Sequence, residues 1–172
     1  MPGRREGSNL VGTSSEVTVK TIRDIMTPNP ATCTPDTSLQ EVARMMVDFD
    51  CGSIPVVRSD TDDTPIGTVT DRDIVCRLVA QGRNPLENDV SACMTTPCIT
   101  VPVDSDVNAA RDLMTKNQIR RLVVVDANGV CCGVVSMADI VMETGDTSIV
   151  REVSEPTEEP SRVAETKQRE PV

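Results

Sequence analysis

Apolar and polar residues follow the same order twice along this chain. Residues 26–57 align with residues 94–125 at a constant shift of 68 positions. After a two-residue deletion in a polar loop, residues 67–75 align with residues 133–141 at a shift of 66. A repeat on this scale indicates one supersecondary unit used twice, because a single copy cannot bury its own apolar face.

Each copy predicts the element order β-α-β-β-α. A short extended segment, predicted at 31–34 in the first copy and 99–101 in the second, precedes a helix. The apolar face of this helix in the first copy carries Leu39, Val42, Ala43, Met46 and Val47. A continuous apolar run follows and predicts a strand buried on both faces. A turn, a second strand and a closing helix complete the copy. The buried strand, the turn, the second strand and the closing helix are predicted at 54–57, 60–64, 66–70 and 71–79 in the first copy. In the second copy they are predicted at 122–125, 126–129, 131–136 and 137–143.

These elements predict an α/β (α+β) fold in which two tandem β-α-β-β-α repeats pack with pseudo-two-fold symmetry. We expect the first repeat at 19–81, a linker at 82–88 and the second repeat at 89–144. Residues 1–18 and 145–172 are polar and charged and lack apolar periodicity, so we expect both segments to be disordered. The acidic C-terminal segment is interpreted as a solubilising tail.

The composition argues against several classes of function. A net charge of −10 opposes binding to nucleic acid, and Phe49 is the only aromatic residue available to stack on a base. No apolar run approaches the length needed to cross a membrane. The N-terminal residues do not resemble a secretory signal, so a cytoplasmic location is expected.

Catalytic and metal-binding patterns are missing from the sequence. There is no histidine, and the seven cysteines have irregular spacings without a C-x-x-C motif, so neither zinc nor another metal is predicted. No nucleophile motif or phosphate-binding loop is visible either. We therefore expect a protein that is not an enzyme and has no catalytic cofactor.

The motif Gly-x-x-Thr/Ser-x-x-Asp marks the point in each copy where the last strand ends and the closing helix begins. Its hydroxyl lies near the helix N-cap, where free backbone N–H groups attract an anion such as phosphate. Its carboxylate can accept hydrogen bonds from both hydroxyls of a ribose. The alternative is a capping box that only stabilises the helix, but the occurrence of two copies favours a ligand site. The residues are Gly67, Thr70 and Asp73, and Gly133, Ser136 and Asp139.

On this motif, and on the Ile-Pro-Val-Val strand before it, the chain resembles the paired CBS (cystathionine-β-synthase-type) domain, or Bateman module. The resemblance runs from about residue 21 to residue 143, and the layout is similar to stand-alone prokaryotic members. It implies a regulatory, energy-sensing module that binds AMP, ADP or ATP between the repeats and signals by conformational change. S-adenosylmethionine, NAD and a cyclic dinucleotide are other ligands of the family. A flat homodimer and an unidentified protein target are also implied.

The resemblance assigns a role to each candidate residue. Asp73 and Asp139 would hold a ribose, and Thr70 and Ser136 would bind phosphate or ribose. An adenine pocket is implied along the two apolar strands, lined by Ile54, Pro55, Leu122 and Val123, with Thr32 and Thr100 at its edge.

Three arginines are candidates for phosphate binding. Arg120 and Arg121 resemble the basic pair that meets phosphates in the kinase-regulating members of the family, and their counterparts in the first copy are Gly52 and Ser53. Arg72 offers a further cation in the first copy. Ion pairs to nearby carboxylates at 71, 112 and 126 are the alternative interpretation of all three.

Two other functions stay open on the sequence. A thiol-based redox sensor would use Cys131 and Cys132, Cys33 or Cys51, and it requires an exposed thiolate of low pKa. A dimerisation scaffold without ligand would keep the fold and leave both sites vacant.

Overall fold

The computed structural model describes residues 20–154, and its two halves match the two repeats. Mixed helices and strands in paired repeats confirm the predicted α+β class. The first half contains α2 (Leu39–Asp48), β2 (Ser53–Ser59), β3 (Asp62–Thr70) and α3 (Asp71–Arg77). The second contains β4 (Thr100–Pro102), α4 (Val107–Asn117), β5 (Arg121–Val125), β6 (Cys131–Ser136) and α5 (Met137–Thr144). Helix α1 (Ile22–Ile25) and strand β1 (Thr27–Pro28) come first, and α6 (Ser148–Ser154) comes last.

The strands form two sheets of unequal size. Strands β2 and β3 pair as an antiparallel hairpin, whereas the other sheet has the order β1-β6-β5-β4. Strand β4 runs parallel to β5, but its counterpart in the first half is reduced to a single bridge between Cys33 and Val56. The predicted extended segment at 31–34 is therefore only partly formed.

Each half lends a short segment to the sheet of the other half. Strand β1, near the start of the first repeat, pairs with β6 of the second repeat. Thr95, near the start of the second repeat, exchanges two backbone hydrogen bonds of 3.0 and 2.8 Å with Thr68 in β3. The sequence analysis did not anticipate this exchange, because segments of two or three residues leave no periodic pattern.

The two motif glycines lie directly beneath these exchanged segments. A Cβ atom on Gly67 would lie 2.6 Å from the carbonyl oxygen of Thr95. A Cβ atom on Gly133 would overlap the sulfur of Met26. Glycine at both positions therefore permits the close approach of a strand.

Two apolar cores lie beneath the helices, one in each half. In α2, the predicted face is confirmed for Leu39, Val42 and Met46 but wrong for Ala43 and Val47, which are exposed. The sheet beneath α2 has only two strands, so it covers a narrower stripe of the helix than the sequence provides.

Three predicted boundaries differ from the structure. The turn expected at 60–64 is shorter, because β3 already begins at Asp62. The closing helix of the first repeat ends at Arg77, and a 3-10 turn at Val79–Gln81 follows it. Within the predicted linker, Pro85–Glu87 forms a second 3-10 turn.

The prediction of disorder from residue 145 onward is wrong for α6. Gly145 ends α5 with φ of 69°, a left-handed conformation that lets the chain turn back. Ile149 and Val153, four residues apart, then bury one helical face in the second core. Glu152 accepts a 2.7 Å hydrogen bond from Arg111. The remaining residues of both predicted disordered segments, 1–18 and 155–172, lie outside the described residues.

None of the helices at 20–154 is long and apolar enough to cross a membrane.

Candidate functional site

Both copies of the motif form a complete capping box at the start of a helix. Asp73 Oδ2 accepts hydrogen bonds from the backbone N–H and the hydroxyl of Thr70, at 3.0 and 2.7 Å. Asp139 Oδ2 accepts the same two bonds from Ser136, both at 2.7 Å. Each hydroxyl in turn accepts the N–H of its aspartate. The capping alternative from the sequence is thus present, and it occupies one carboxylate oxygen in each copy.

The second carboxylate oxygen distinguishes the two copies. Asp73 Oδ1 lies 3.4 Å from Arg77 Nη2 and 3.5 Å from the hydroxyl of Thr95. Across residues 20–154, no side chain or backbone donor forms a hydrogen bond with Asp139 Oδ1. A carboxylate oxygen can accept two hydrogen bonds, so Asp139 retains acceptor capacity for the hydroxyls of a ribose.

Arg77 is a functional candidate that the sequence analysis missed. Its Nη1 donates to the carbonyl oxygens of Cys93 and Met94, at 2.8 and 2.9 Å, and its Nη2 donates to Thr95 Oγ1 at 2.9 Å. The aligned position in the second repeat holds Glu143, which pairs with Lys20 at 2.7 Å. This reversal of charge between aligned positions is the signal in the sequence that distinguishes Arg77.

The predicted adenine-contact residues divide between two sides of their strands. Ile54 and Leu122 are buried in the two cores, so the prediction that their side chains line a ligand pocket is not supported. Pro55 and Val123 are buried on the opposite faces of these strands, away from the helices. They remain the predicted contacts for adenine.

The predicted edge residues lie beside these strands. Thr32 precedes Cys33, whose N–H donates to the carbonyl oxygen of Pro55 at 3.1 Å. Thr100 pairs with Val123 in the parallel ladder. The backbone of each threonine therefore lies close to a residue that is still predicted to contact adenine, Pro55 or Val123.

The three candidate arginines are exposed and form none of the ion pairs found within residues 20–154. The carbonyl oxygen of Arg120 accepts the N–H of Met137, and Arg121 lies opposite Ser136 in the ladder. The backbone of this arginine pair therefore lies next to the start of α5, the helix that carries Asp139. Arg72 lies at the start of α3, beside Asp73.

Five of the seven cysteines do not have the electrostatic environment of reactive thiols. Burial raises the pKa of Cys33 and of Cys98 to about 12, and that of Cys131 to about 11. Burial also raises the pKa of Cys93 and Cys132. These five thiols are protonated at neutral pH, which weakens the redox-sensor interpretation.

A groove of about 370 Å³ lies on the helical side of the first repeat. Its lining is mostly apolar and comes from α2, α3 and the 3-10 turn of the linker. The lining residues are Leu39, Gln40, Ala43, Arg44, Val47, Asp48, Ile74, Pro85 and Leu86.

Comparison with known proteins identifies the family. The model of the CBS domain matches the chain twice, at residues 22–80 and 89–145. Protein MK0525 of Methanopyrus kandleri is 42% identical over 118 residues, which is 69% of this chain but only 57% of that protein. The CBS domain-containing protein YhcV of Bacillus subtilis is 36% identical over 122 residues, covering 71% of this chain and 84% of YhcV.

Two solved structures share the fold and contain adenosine ligands. CBSX2 of Arabidopsis thaliana, solved with AMP, has a TM-score of 0.60 and 26% identity, covering 72% of this chain and 94% of CBSX2. The CBS domain pair of MJ0100, solved with 5′-methylthioadenosine and S-adenosyl-L-methionine, has a TM-score of 0.65 and 25% identity. That match covers 74% of this chain and 97% of the MJ0100 pair.

The chain therefore belongs to the CBS domain family, which confirms the resemblance found in the sequence. With two matched domains in one chain, it is a CBS-pair regulatory module.

The raised thiol pKa values predict slow alkylation of the folded protein. At pH 8, a thiol of pKa about 12 is ionised in about one molecule in 10⁴, so iodoacetamide should leave Cys33 and Cys98 unmodified. Exposed Cys76 should react first. Peptide mass spectrometry measures each site, and protein unfolded in urea, in which all seven cysteines should react alike, is the control. Rapid alkylation of Cys33, Cys98 or Cys131 in the folded protein would contradict the prediction and favour a redox sensor.

Proposed function

We propose that this protein is a non-catalytic regulatory CBS pair that binds an adenosine-containing ligand between its repeats. AMP, ADP and ATP are the first candidates, with S-adenosylmethionine or NAD as further ones. The observation that carries the proposal is Asp139, whose Oδ1 accepts no hydrogen bond within the described part of the chain. The backbone of Arg120 and Arg121, two exposed residues, pairs with the start of the helix that carries it.

The surroundings of Asp139 match the parts of a nucleotide. A carboxylate oxygen with both lone pairs available accepts the vicinal hydroxyls of a ribose. Arg120 and Arg121 supply cations for a phosphate, and guanidinium groups bind phosphate oxygens through paired hydrogen bonds. Pro55 and Val123 are the proposed apolar contacts for adenine, and neither has an aromatic ring to stack on the base, so we expect modest affinity.

The solved relatives support this ligand class. CBSX2 was solved with AMP, and the MJ0100 pair with two adenosine derivatives. A ligand that contacts both repeats would bias their relative arrangement, because a ligand shifts an equilibrium only through differential affinity for its states. The linker at 82–88 would follow that change, and an unidentified protein target would respond to it. A cytoplasmic location without nucleic-acid or membrane partners is part of the same proposal.

Calorimetric titration with AMP, ATP and adenosine tests the proposal. We expect saturable binding that the double variant Asp73→Asn/Asp139→Asn loses, because a charge-assisted hydrogen bond contributes about 1.5–3 kcal/mol, or at least about tenfold in affinity. Arg120→Ala/Arg121→Ala should weaken ATP more than adenosine, since adenosine has no phosphate. Arg151→Ala, an exposed arginine on α6, is the matched control and should change neither.

Two outcomes would overturn the assignment. If wild-type protein shows no saturable binding of any adenine nucleotide, S-adenosylmethionine or NAD at millimolar concentration, the dimerisation scaffold becomes the better interpretation. If the arginine variant weakens adenosine and ATP equally, the two arginines do not contact phosphate.

We also propose that the protein forms a homodimer through the groove of the first repeat. In the second repeat, α6 covers the equivalent surface, where its Glu152 contacts Arg111 and Thr115. The aligned residues of α2 are Ala43 and Val47, and Val47 is 80% exposed. A second copy of the same groove would cover these apolar side chains as α6 covers their counterparts.

The charges at the rim of the groove support a two-fold arrangement. Arg44 and Asp48 are one helical turn apart on α2, and both line the groove. Antiparallel packing of α2 on its symmetry mate would bring Arg44 of each copy opposite Asp48 of the other. The surface is therefore complementary in charge to itself.

A charged substitution in the groove should separate the dimer. Val47→Glu should give a monomer in size-exclusion chromatography with light scattering, because the interface would then bury an unpaired carboxylate. Met142→Glu, at an 86% exposed position on α5 outside the groove, is the control and should remain dimeric. A wild-type monomer, or a Val47→Glu dimer, would contradict this interface.

A further inference from the structure

The two copies of the motif differ in what surrounds their carboxylates. Arg77 lies one helical turn after Asp73, and the aligned position after Asp139 holds Glu143. Thr95 is half-buried and its hydroxyl faces Asp73 Oδ1 at 3.5 Å. Its aligned residue, Thr27, is exposed and forms no side-chain hydrogen bond among residues 20–154.

These contacts leave Asp73 with less acceptor capacity than Asp139, because a cation and a hydroxyl lie 3.4 and 3.5 Å from its Oδ1. A carboxylate offers about four acceptor positions, two on each oxygen. The N–H and hydroxyl of Thr70 occupy Oδ2, while Arg77 and Thr95 face Oδ1. The carboxylate of Asp73 is also 15% exposed, so water cannot readily replace a partner that is displaced.

Arg77 itself is held in place from both repeats. It belongs to α3 of the first repeat, yet its guanidinium donates to two backbone carbonyl oxygens and one hydroxyl of residues 93–95, which belong to the second repeat. Charge-assisted hydrogen bonds are roughly twice as strong as neutral ones. Moving Arg77 aside for a ligand would break all three of these bonds. The carbonyl oxygens of Cys93 and Met94 would then lose their guanidinium donor.

We propose that Arg77 closes the ligand position at Asp73, the first of two related clefts that the two motif aspartates mark. An adenosine ligand is then held at Asp139 alone, and Asp73 contributes to the contact between the repeats instead. The ligand half of this inference, that only Asp139 holds an adenosine ligand, rests on the proposed nucleotide function. Its structural half, that Asp73 and Arg77 join the two repeats, does not depend on any ligand. Arg77 is thus a specificity-determining residue that makes the two repeats unequal in binding.

Calorimetry with AMP measures the ligand half. Wild-type protein should bind one AMP per chain, and Asp139→Asn should weaken that binding at least tenfold. Arg77→Gln removes the charge and should admit a second, weaker AMP molecule at Asp73. Glu143→Gln changes the aligned position in the second repeat and should leave one AMP per chain.

Thermal unfolding measures the structural half without any ligand. Asp73→Asn and Arg77→Gln should each lower Tm more than Asp139→Asn and Glu143→Gln. The first pair disturbs the part-buried contacts of Arg77 with residues 93–95, whereas Glu143→Gln loses only an ion pair to exposed Lys20. Both readouts use the full chain, and Arg77→Gln gives a second route if Asp73→Asn fails to fold.

The possible failures are distinguishable. Two AMP molecules of equal affinity on the wild-type chain, or one AMP retained at full affinity by Asp139→Asn, would overturn the closed cleft while the proposed function stands. No saturable AMP binding to the wild type would remove the nucleotide assignment. In that case, equal Tm shifts in the four variants would overturn the role of Arg77, and unequal shifts of the predicted order would support it.

Discussion

The close contact between each motif glycine and the strand lent by the other repeat is the constraint on which this structure depends. Thr95 exchanges two hydrogen bonds with Thr68, and its carbonyl oxygen occupies the space that a Cβ on Gly67 would need. Strand β1 pairs with β6 at Gly133, where a Cβ would overlap the side-chain sulfur of Met26 and lie 3.2 Å from the carbonyl oxygen of Thr27. Because neither sheet is complete without the other repeat, the two repeats are expected to fold as one unit.

The same exchange determines the chemistry of the two motifs. It brings residues 93–95 to the end of α3, where Arg77 and Asp73 contact them. On the second sheet, the exchanged segment begins with exposed Thr27, and Asp139 Oδ1 has no donor among the described residues. Two nearly identical motifs therefore acquire different environments, one tied into the fold and one available to a ligand.

The periodic parts of the structure could be predicted from the sequence. The internal repeat, the buried strands at 54–57 and 122–125 and the helix starts at Thr70 and Ser136 follow from local apolar pattern and capping residues. The exchanged segments could not be predicted, because their pairing is non-local and two residues carry no period. Helix α6 was missed because only Ile149 and Val153 mark its apolar face within a polar, charged segment.

Burial and pairing also changed the candidate site. Ile54 and Leu122 lie in motif-like positions, yet alternation along a strand sends their side chains into the cores, whereas Pro55 and Val123 point to the other face. Arg77 has no distinctive local pattern, and its importance comes from carbonyl oxygens 16 and 17 residues away in the chain. Such contacts follow from tertiary structure and not from spacing.

The most direct measurement of the coupling between the repeats compares two glycine-to-alanine variants in equilibrium unfolding. Both changes reduce the entropy of the unfolded chain alike, but only Gly67→Ala places a methyl group against backbone, 2.6 Å from the oxygen of Thr95. In Gly52→Ala, the nearest atom is the exposed carboxylate of Asp71, which can move. We predict that Gly67→Ala lowers the free energy of unfolding by about 1–3 kcal/mol more than Gly52→Ala, within a single transition. Equal stability of the two variants, or separate unfolding of the two halves in the wild type, would contradict the account.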